Sequence, residues 1–435
     1  MNKKINIFLL IFCLTNVFAN GQELAWSLQK CIAIAMENNL EIQIQQLEIK
    51  RTQKSNPSLL NEMMPSINFT ASQSYNFGST IDPATNGRVS SNIQYDNFYL
   101  NAQMNLFDFN TLATIQKNKL NLAITKAEKE VIENEYKLQV LESFYQALFM
   151  QELFKIQQQQ LQNSKENLNR IEKEVAIGNK PKSDLYDIRF LFSQDEKRLL
   201  ETEQAYVIQK IQLFQLINFS VIDTVEMITL EIPLASLSTN NTDENINPKI
   251  KVAELNYEKS LKEIHFQRAA NLPVLSAYYQ ISSFYYKPLN QPSSMVDSFN
   301  NQIGNNKNQQ IGLQLNIPVF NGFKNSKKVH AAKIETEKSK LKIETENQKR
   351  DKQLELERYN QRNYISLQEK LNNVLLHATN SFQTTQAKYT SGKIDTNSFA
   401  LSKNNLLTSE YELLKNELMI QFSVFKIHLI QVNAL

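Results

Sequence analysis

The stretch NFYLNAQMNLFDFN, residues 97–110, alternates strictly between apolar and polar side chains. The apolar positions are Phe98, Leu100, Ala102, Met104 and Leu106, and the polar, uncharged positions between them are Tyr99, Asn101, Gln103 and Asn105. Alternation with period two predicts a β-strand with one apolar and one polar face. The surrounding chain is typical of helices instead, because it has only 8 Gly and 10 Pro in 435 residues.

Residues 1–21 have the composition of a secretory signal peptide. Lys3 and Lys4 precede a short apolar run, and small residues follow at Ala19 and Gly21, where we expect cleavage. No later run of about 18 apolar residues occurs, so no transmembrane helix is predicted. The net charge is +3 with these two lysines included, which predicts no nucleic-acid partner. The mature chain keeps a single cysteine, Cys31, which we expect to be buried and unpaired.

The mature chain repeats itself. ENNLEI (37–42), MPSINF (64–69), NLFDFN (105–110) and VAIGNKPKSDLYD (175–187) recur in the same order as NINPKI (245–250), LPVLSA (272–277), PVFNGF (318–323) and YTSGKIDTNSFAL (389–401). The offset stays between 208 residues (Leu40 to Pro248) and 214 residues (Gly178 to Gly392). A constant offset indicates a duplicated half. We therefore predict a first repeat over 22–220, a linker over 221–246 and a second repeat over 247–435.

Each half predicts the same order of elements. A helix comes first, at about 25–60 and 248–270. Two alternating strands follow, at about 67–77 and 97–107 in the first half and at about 274–286 and 309–319 in the second. A helix of roughly 65 residues, about 100 Å at 1.5 Å per residue, then reverses at Gly178 or Gly392 into a last helix, at about 184–218 or 395–432. Apolar residues at seven-residue spacing, such as Leu161, Leu168 and Val175, favour coiled-coil packing.

The two faces of the strands indicate two environments. Four strands of about ten residues are too few to close a barrel, for which roughly eight are needed. Left open, their apolar face must pack on helices or join strands from other chains. A sheet covered by helices predicts a charged outer face, whereas here the polar face carries amides and hydroxyls. This favours a pore-lining face (Asn101, Gln103, Asn105, Gln314, Asn316) and a lipid-facing one (Leu100, Met104, Leu106, Leu313, Leu315).

The ordered, duplicated landmarks resemble those of the outer-membrane efflux protein (TolC) family, from Leu24 to about Leu429. The resemblance implies a mixed fold, a membrane β-barrel continued by a long α-helical coiled-coil barrel. It implies a homotrimer in which each chain gives four strands to a twelve-stranded barrel in outer-membrane lipid. The implied partners are a periplasmic adaptor (membrane fusion) protein and an inner-membrane pump or ABC-type ATPase. The implied function is a passive exit duct, gated by the adaptor at its periplasmic end.

The turns at Gly178 and Gly392 correspond to the periplasmic tips of that family. By position, the resemblance assigns adaptor docking and gating to Ala176, Ile177, Gly178, Asp184, Tyr389 and Gly392. The best-known members carry carboxylates six and nine residues after the second glycine, where this chain has Ser398 and Leu401. Asp395 is a substitute for that acidic ring or, as the favoured alternative, a carboxylate that stabilises a helix N-terminus.

The sequence carries no recognisable catalytic, cofactor or metal motif. The four histidines, His265, His330, His377 and His428, lie on different predicted helices without ligand spacing. We therefore expect neither an enzyme nor a bound cofactor. Two other classes of protein stay open: a structural or adhesive coiled-coil protein without a pore, in the periplasm or at the cell surface, and a periplasmic adaptor. The scarcity of Gly disfavours the adaptor, and neither class explains the duplication.

Overall fold

The computed structural model describes residues 24–81, 86–90, 92–219, 228–233, 247–289 and 296–432. The predicted signal peptide and most of the predicted linker lie outside these residues. The helices are α1 Leu28–Asn38, α2 Leu40–Ser55, α3 Leu59–Met63, α4 Phe109–Ala176, α5 Lys182–Leu216, α6 Pro248–Ala269, α7 Phe299–Asn305, α8 Lys324–Thr390 and α9 Thr396–Val432. The strands are β1 Leu24–Trp26, β2 Ser66–Asn76, β3 Ser79–Ile81, β4 Arg88–Ser90, β5 Ile93–Asp108, β6 Ile228–Leu230, β7 Val274–Pro288 and β8 Asn308–Asn316.

The order of two strands, a long helix, a turn and a second helix occurs twice, as the duplicated landmarks predict. The long helices α4 and α8 contain 68 and 67 residues. The described residues divide into two compact units, one falling within 1–46, 127–251 and 345–435, the other within 47–126 and 252–344. Among the described residues, none of the helices combines the length and the apolar character needed to cross a membrane.

The prediction of a single helix over 25–60 is wrong. Short polar side chains divide this segment into α1, α2 and α3. Ser27 caps α1 by accepting the backbone N–H of Lys30 at 3.3 Å. Asn39 ends α1, and its Oδ1 accepts the backbone N–H of Ile42 at 2.9 Å, which starts α2. Such side chains satisfy backbone N–H groups that a helix start leaves without partners.

A strand lies inside the segment predicted to be a plain linker. β6 pairs in parallel with β1, with Ala25 opposite Thr229. The side chain of Gln151 holds this strand, since its Nε2 donates to the Leu230 carbonyl at 2.8 Å and its Oε1 accepts the Leu230 N–H at 2.7 Å. A strand of only three residues is too short to show an alternating pattern in the sequence.

In the described part of the first unit, within 1–46, 127–251 and 345–435, the buried apolar residues form two cores. The larger core surrounds β1 and β6 and contains Trp26, Phe144 and Phe214. Cys31 lies in this core with no exposed surface, and burial raises the pKa of its thiol to about 12. A thiol with that pKa stays protonated and is a poor nucleophile at neutral pH. The smaller core lies at the hairpin turns and is described with the candidate site.

The other unit contains an antiparallel sheet with the strand order β2-β5-β7-β8. Its register places Phe69, Leu100 and Ile281 opposite one another on one face and Asn68, Asn101 and Gln280 on the other. The apolar face is open in this chain, where Ile311 is 83% and Leu313 68% exposed. β2 and β8 form the two edges of the sheet.

Leu106 departs from the expected alternation. The register of β5 on β7 skips it, passing from Asn105 opposite Ser276 to Phe107 opposite Leu275. A β-bulge of this kind inserts one extra residue without a cross-strand partner. Leu106 lines a small hollow together with Leu59 and Met63 of α3. The predicted end of β8 at about 319 is also wrong, because the strand stops at Asn316, two residues before Pro318, which has no N–H to donate.

Candidate functional site

Both hairpin turns are closed by the same backbone motif. After α4, Gly178 donates its N–H to the Val175 carbonyl and Asn179 donates to the Glu174 carbonyl. After α8, Gly392 donates to Tyr389 and Lys393 donates to Lys388. This is the Schellman arrangement, in which the glycine adopts positive φ. The φ angles are +79° at Gly178 and +72° at Gly392, so the sequence identified both turning residues.

We expect Gly392→Ala to lower the free energy of unfolding by about 1–2 kcal/mol, because a left-handed conformation brings Cβ close to the following carbonyl. No other atom lies within 4 Å of the added Cβ, so the loss reports the backbone alone. Thermal unfolding followed by helical circular dichroism measures it. Gly304→Ala, in α7 and equally open, is the matched control and should be neutral or stabilising. Equal thermal unfolding midpoints for Gly392→Ala and Gly304→Ala would contradict the left-handed conformation of Gly392.

Tyr389 joins the two hairpins at the tip. Its side chain is fully buried and stacks on Phe399, with ring centroids 4.6 Å apart. Ile171 and Ile188 complete this core from the first hairpin. Burial raises the pKa of the Tyr389 hydroxyl, which lies 3.3 Å from the Thr396 hydroxyl.

A basic side chain links Tyr389 to the carboxylate predicted in the first hairpin. Lys180 Nζ lies 4.5 Å from the centre of the Tyr389 ring and 3.4 Å from a carboxylate oxygen of Asp184. Arg170 also lies over the ring, at 5.4 Å. Ammonium and guanidinium groups are attracted to the negative face of an aromatic ring. Sequence reasoning assigned no such role to Lys180 or Arg170, since cation–π contacts leave no spacing pattern.

The remaining predicted tip residues lie outside this cluster. Ala176 and Ile177 are exposed, Ile177 by 72%. Asp395 precedes α9 and its carboxylate accepts the backbone N–H of Ser398 at 2.7 Å. This bond is the main cause of its lowered pKa. Its geometry is therefore that of a helix cap, the alternative that the sequence favoured for it.

A second cluster, which the sequence did not predict, lies within the long helices, further from the turns than Tyr389. Asp195 of α5 and Lys403 of α9 form an ion pair, and both are almost fully buried. Ser164 of α4 donates a hydrogen bond to the same carboxylate oxygen and lies 2.6 Å from Lys403 Nζ. The cluster joins the two repeats. Its signal is that Ser164 and Asp195 stand seven residues from buried Ile171 and Ile188, where coiled-coil spacing calls for apolar side chains.

The residues predicted to line a pore share one face of the sheet. They are Asn101, Gln103, Asn105, Gln314 and Asn316. Ser276 connects the strands on this face by donating to Asn105 Oδ1 at 2.9 Å. Leu100, Met104, Leu313 and Leu315 share the opposite face.

The polar face also carries aromatic side chains that the amide pattern concealed. Tyr95 and Tyr286 lie opposite each other there, and Tyr278 lies opposite Gly312. A Cβ at Gly312 would meet the Tyr278 hydroxyl at 2.6 Å, so glycine leaves the space that this ring occupies. Over the described ranges, no group of three or more His, Cys, Asp or Glu side chains could hold a metal ion.

Comparison with known proteins identifies the family of this chain. The model of the outer membrane efflux protein family matches residues 31–218 and 244–424. A search of curated proteins found no significant match by sequence.

Several solved structures share the fold at low sequence identity. VceC from Vibrio cholerae, an outer membrane protein, has a TM-score of 0.75 at 14% identity, with 93% of this chain and 96% of that chain covered. CusC has a TM-score of 0.72 at 16% identity, covering 93% and 92%. The MtrE outer membrane channel of Neisseria gonorrhoeae has a TM-score of 0.70 at 14% identity, covering 94% and 91%. The chain belongs to the outer membrane efflux protein family and is a channel-tunnel subunit of an efflux system.

Proposed function

We propose that three copies of this chain close their sheets into one twelve-stranded barrel in the outer membrane. The observation that carries the proposal is the sheet with two open edges and an exposed apolar face. An open edge and a bare apolar face both promote association, and barrel closure satisfies the backbone groups of every edge. β8 of one copy would then pair with β2 of the next.

In this trimeric barrel the two faces of the sheet are exposed to different environments. The face with Leu100, Leu313 and Leu315 contacts acyl chains, whereas the face with Asn101 and Gln314 lines a water-filled lumen. Outer-membrane barrels alternate in this way, apolar outward and polar inward. The lumen is a passive duct for expelled substrates, so no bond-making chemistry is required of the chain.

The tip is the end at which the duct is gated and docks a periplasmic adaptor, itself bound to an inner-membrane pump or ABC-type ATPase. Apolar side chains stay exposed near the turns, with Ile177 at 72%, Tyr186 at 65% and Phe190 at 63%. Exposed apolar groups of this size mark contact surfaces. An adaptor that binds the open tip more tightly than the closed one shifts the population toward the open duct.

The oligomeric state in mild detergent tests the assembly. We expect native mass spectrometry of the extracted protein to give a trimer, and planar bilayers containing it to show single-channel conductance. Trimerisation should resist mild denaturation, because each closed seam adds backbone hydrogen bonds between strands. A monomer without conductance would overturn the proposal and favour a coiled-coil protein without a pore.

A further inference from the structure

One end of the sheet lacks its fourth strand. β8 pairs with β7 only from Val274 to Ser282, while β7 continues to Pro288 in its pairing with β5. The last six residues of β7 therefore have no β8 neighbour on that edge. The loop that follows contains a helix, α7, that the turn-rich composition of residues 287–308 did not predict.

Helix α7 covers this edge with side-chain amides. Gln302 Oε1 accepts the backbone N–H of Tyr286 at 2.9 Å, and its Nε2 donates to the Tyr286 carbonyl at 3.0 Å. Asn306 Nδ2 donates to the Phe284 carbonyl at 2.9 Å. These bonds are of the kind that a neighbouring strand would make. Gln302 is only 8% exposed, so the contact is buried.

Aromatic and hydroxyl contacts fix the helix in place. Phe299 packs edge-on against Phe98 of β5, at 5.9 Å between ring centroids, and its ring is tilted against that of Tyr285 of β7, at 5.3 Å. Ser283 donates its hydroxyl to the Ile303 carbonyl at 2.8 Å. Phe98, Ser283 and Tyr285 belong to the apolar face, so α7 lies along the edge on that side of the sheet.

The opposite side of α7 has no partner of this kind within the described chain. It consists of three asparagines and a glycine, all exposed: Asn300, Asn301, Gly304 and Asn305. This surface is uncharged, and its amides can donate and accept as a peptide group does. Its side-chain amides can therefore bond the backbone of another strand, as the amide of Gln302 bonds the backbone of β7.

We propose that α7 seals the seam between neighbouring copies by binding the loop-end edge of β2, residues 71–76, of a second copy. The inference rests on the proposed trimer, in which β2 of the next copy follows β8. Where β8 is missing, β7 and that β2 stand two strand spacings apart, about 9.6 Å. A helix about 10 Å across is wider than the one strand that is missing, so α7 spans this gap from the apolar side of the sheet, where it packs. β2 is exposed along its length and, among the strands that the structure describes, pairs with β5 alone, so its outer edge is open to such a partner.

Cross-linking between copies tests the seal. The variant Gln73→Cys/Asn305→Cys, in the full chain and in native outer membranes, is treated with a short bismaleimide. Gln73 lies opposite Asp96, on the same face as Phe98, where α7 packs. We expect most of the chain to appear as covalent dimers and trimers in denaturing gels. Gln73→Cys/Asn301→Cys repeats the test one helical turn away, and buried Cys31 adds no background.

The control is Ile67→Cys/Asn305→Cys, which moves the first cysteine to the far end of β2 on the same face as Gln73 and should give a near-background yield. Gln302→Leu, added to the cross-linking variant, should lower the yield while the trimer persists in native mass spectrometry. Trimers in which neither cysteine pair forms covalent dimers would overturn the seal and leave the proposed function standing. Monomers in the same spectra would overturn both.

Discussion

Lys403→Met is expected to lower the free energy of unfolding by about 3–5 kcal/mol, because it leaves a buried carboxylate without its counter-charge. Asp195 and Lys403 are 4% and 6% exposed, and the remaining partner of Asp195 in this cluster is the neutral Ser164 hydroxyl. Water cannot replace the lost ammonium group at such a site. Thermal and denaturant unfolding of the detergent-solubilised protein measure the loss.

Two variants make this test specific. Lys197→Met removes an exposed lysine that pairs with Glu201 on the same helix, with 74% and 59% of their side chains exposed. This control should change stability by less than about 0.5 kcal/mol, as exposed pairs contribute little. Asp195→Leu/Lys403→Met should recover much of the loss, since an apolar pair removes both buried charges. Wild-type stability of Lys403→Met alone would show that the ion pair does not form.

Leu313→Arg should block assembly in the outer membrane, whereas Gln314→Arg should leave it nearly intact. The residues are adjacent on β8, but Leu313 lies opposite Ala277 on the apolar face and Gln314 lies opposite Ser276 on the polar face. An arginine facing acyl chains near the middle of the bilayer costs about 2–4 kcal/mol, while one facing a water-filled lumen stays hydrated.

The measurement is the fraction of each variant that reaches the outer membrane as the proposed trimer. The two substitutions add the same side chain to the same strand, so each serves as the control for the other. Equal assembly of both variants would contradict the assignment of the faces, and loss of Gln314→Arg alone would reverse it.

Local signals in the sequence were sufficient for the elements that repeat. Strict alternation predicted the strands, the absence of Gly and Pro predicted the two long helices, and Gly178 and Gly392 marked the turns. Each of these depends on one residue and its near neighbours, through steric limits on the backbone and the period of the side chains. The ordered duplicates then identified the family before any contact was known.

The contacts that polar residues make with other helices and strands were not predicted. Asp195 meets Lys403 across 208 positions of sequence, and Gln302 meets the edge of β7 sixteen residues away. Neither contact leaves a periodic pattern, although Asp195 does interrupt an apolar heptad. The bulge at Leu106 is similar, because only pairing with β7 reveals that one residue is extra.

For the elements that repeat, the sequence by itself determined which segments form the paired strands and the long helices and where the chain turns between those helices, since these follow from side-chain period and backbone sterics. The tertiary structure alone decided which charges are buried together, which ring stacks in the tip and what covers the short edge of the sheet. Those outcomes depend on residues far apart in sequence meeting with little water between them, where a polar group must find a partner.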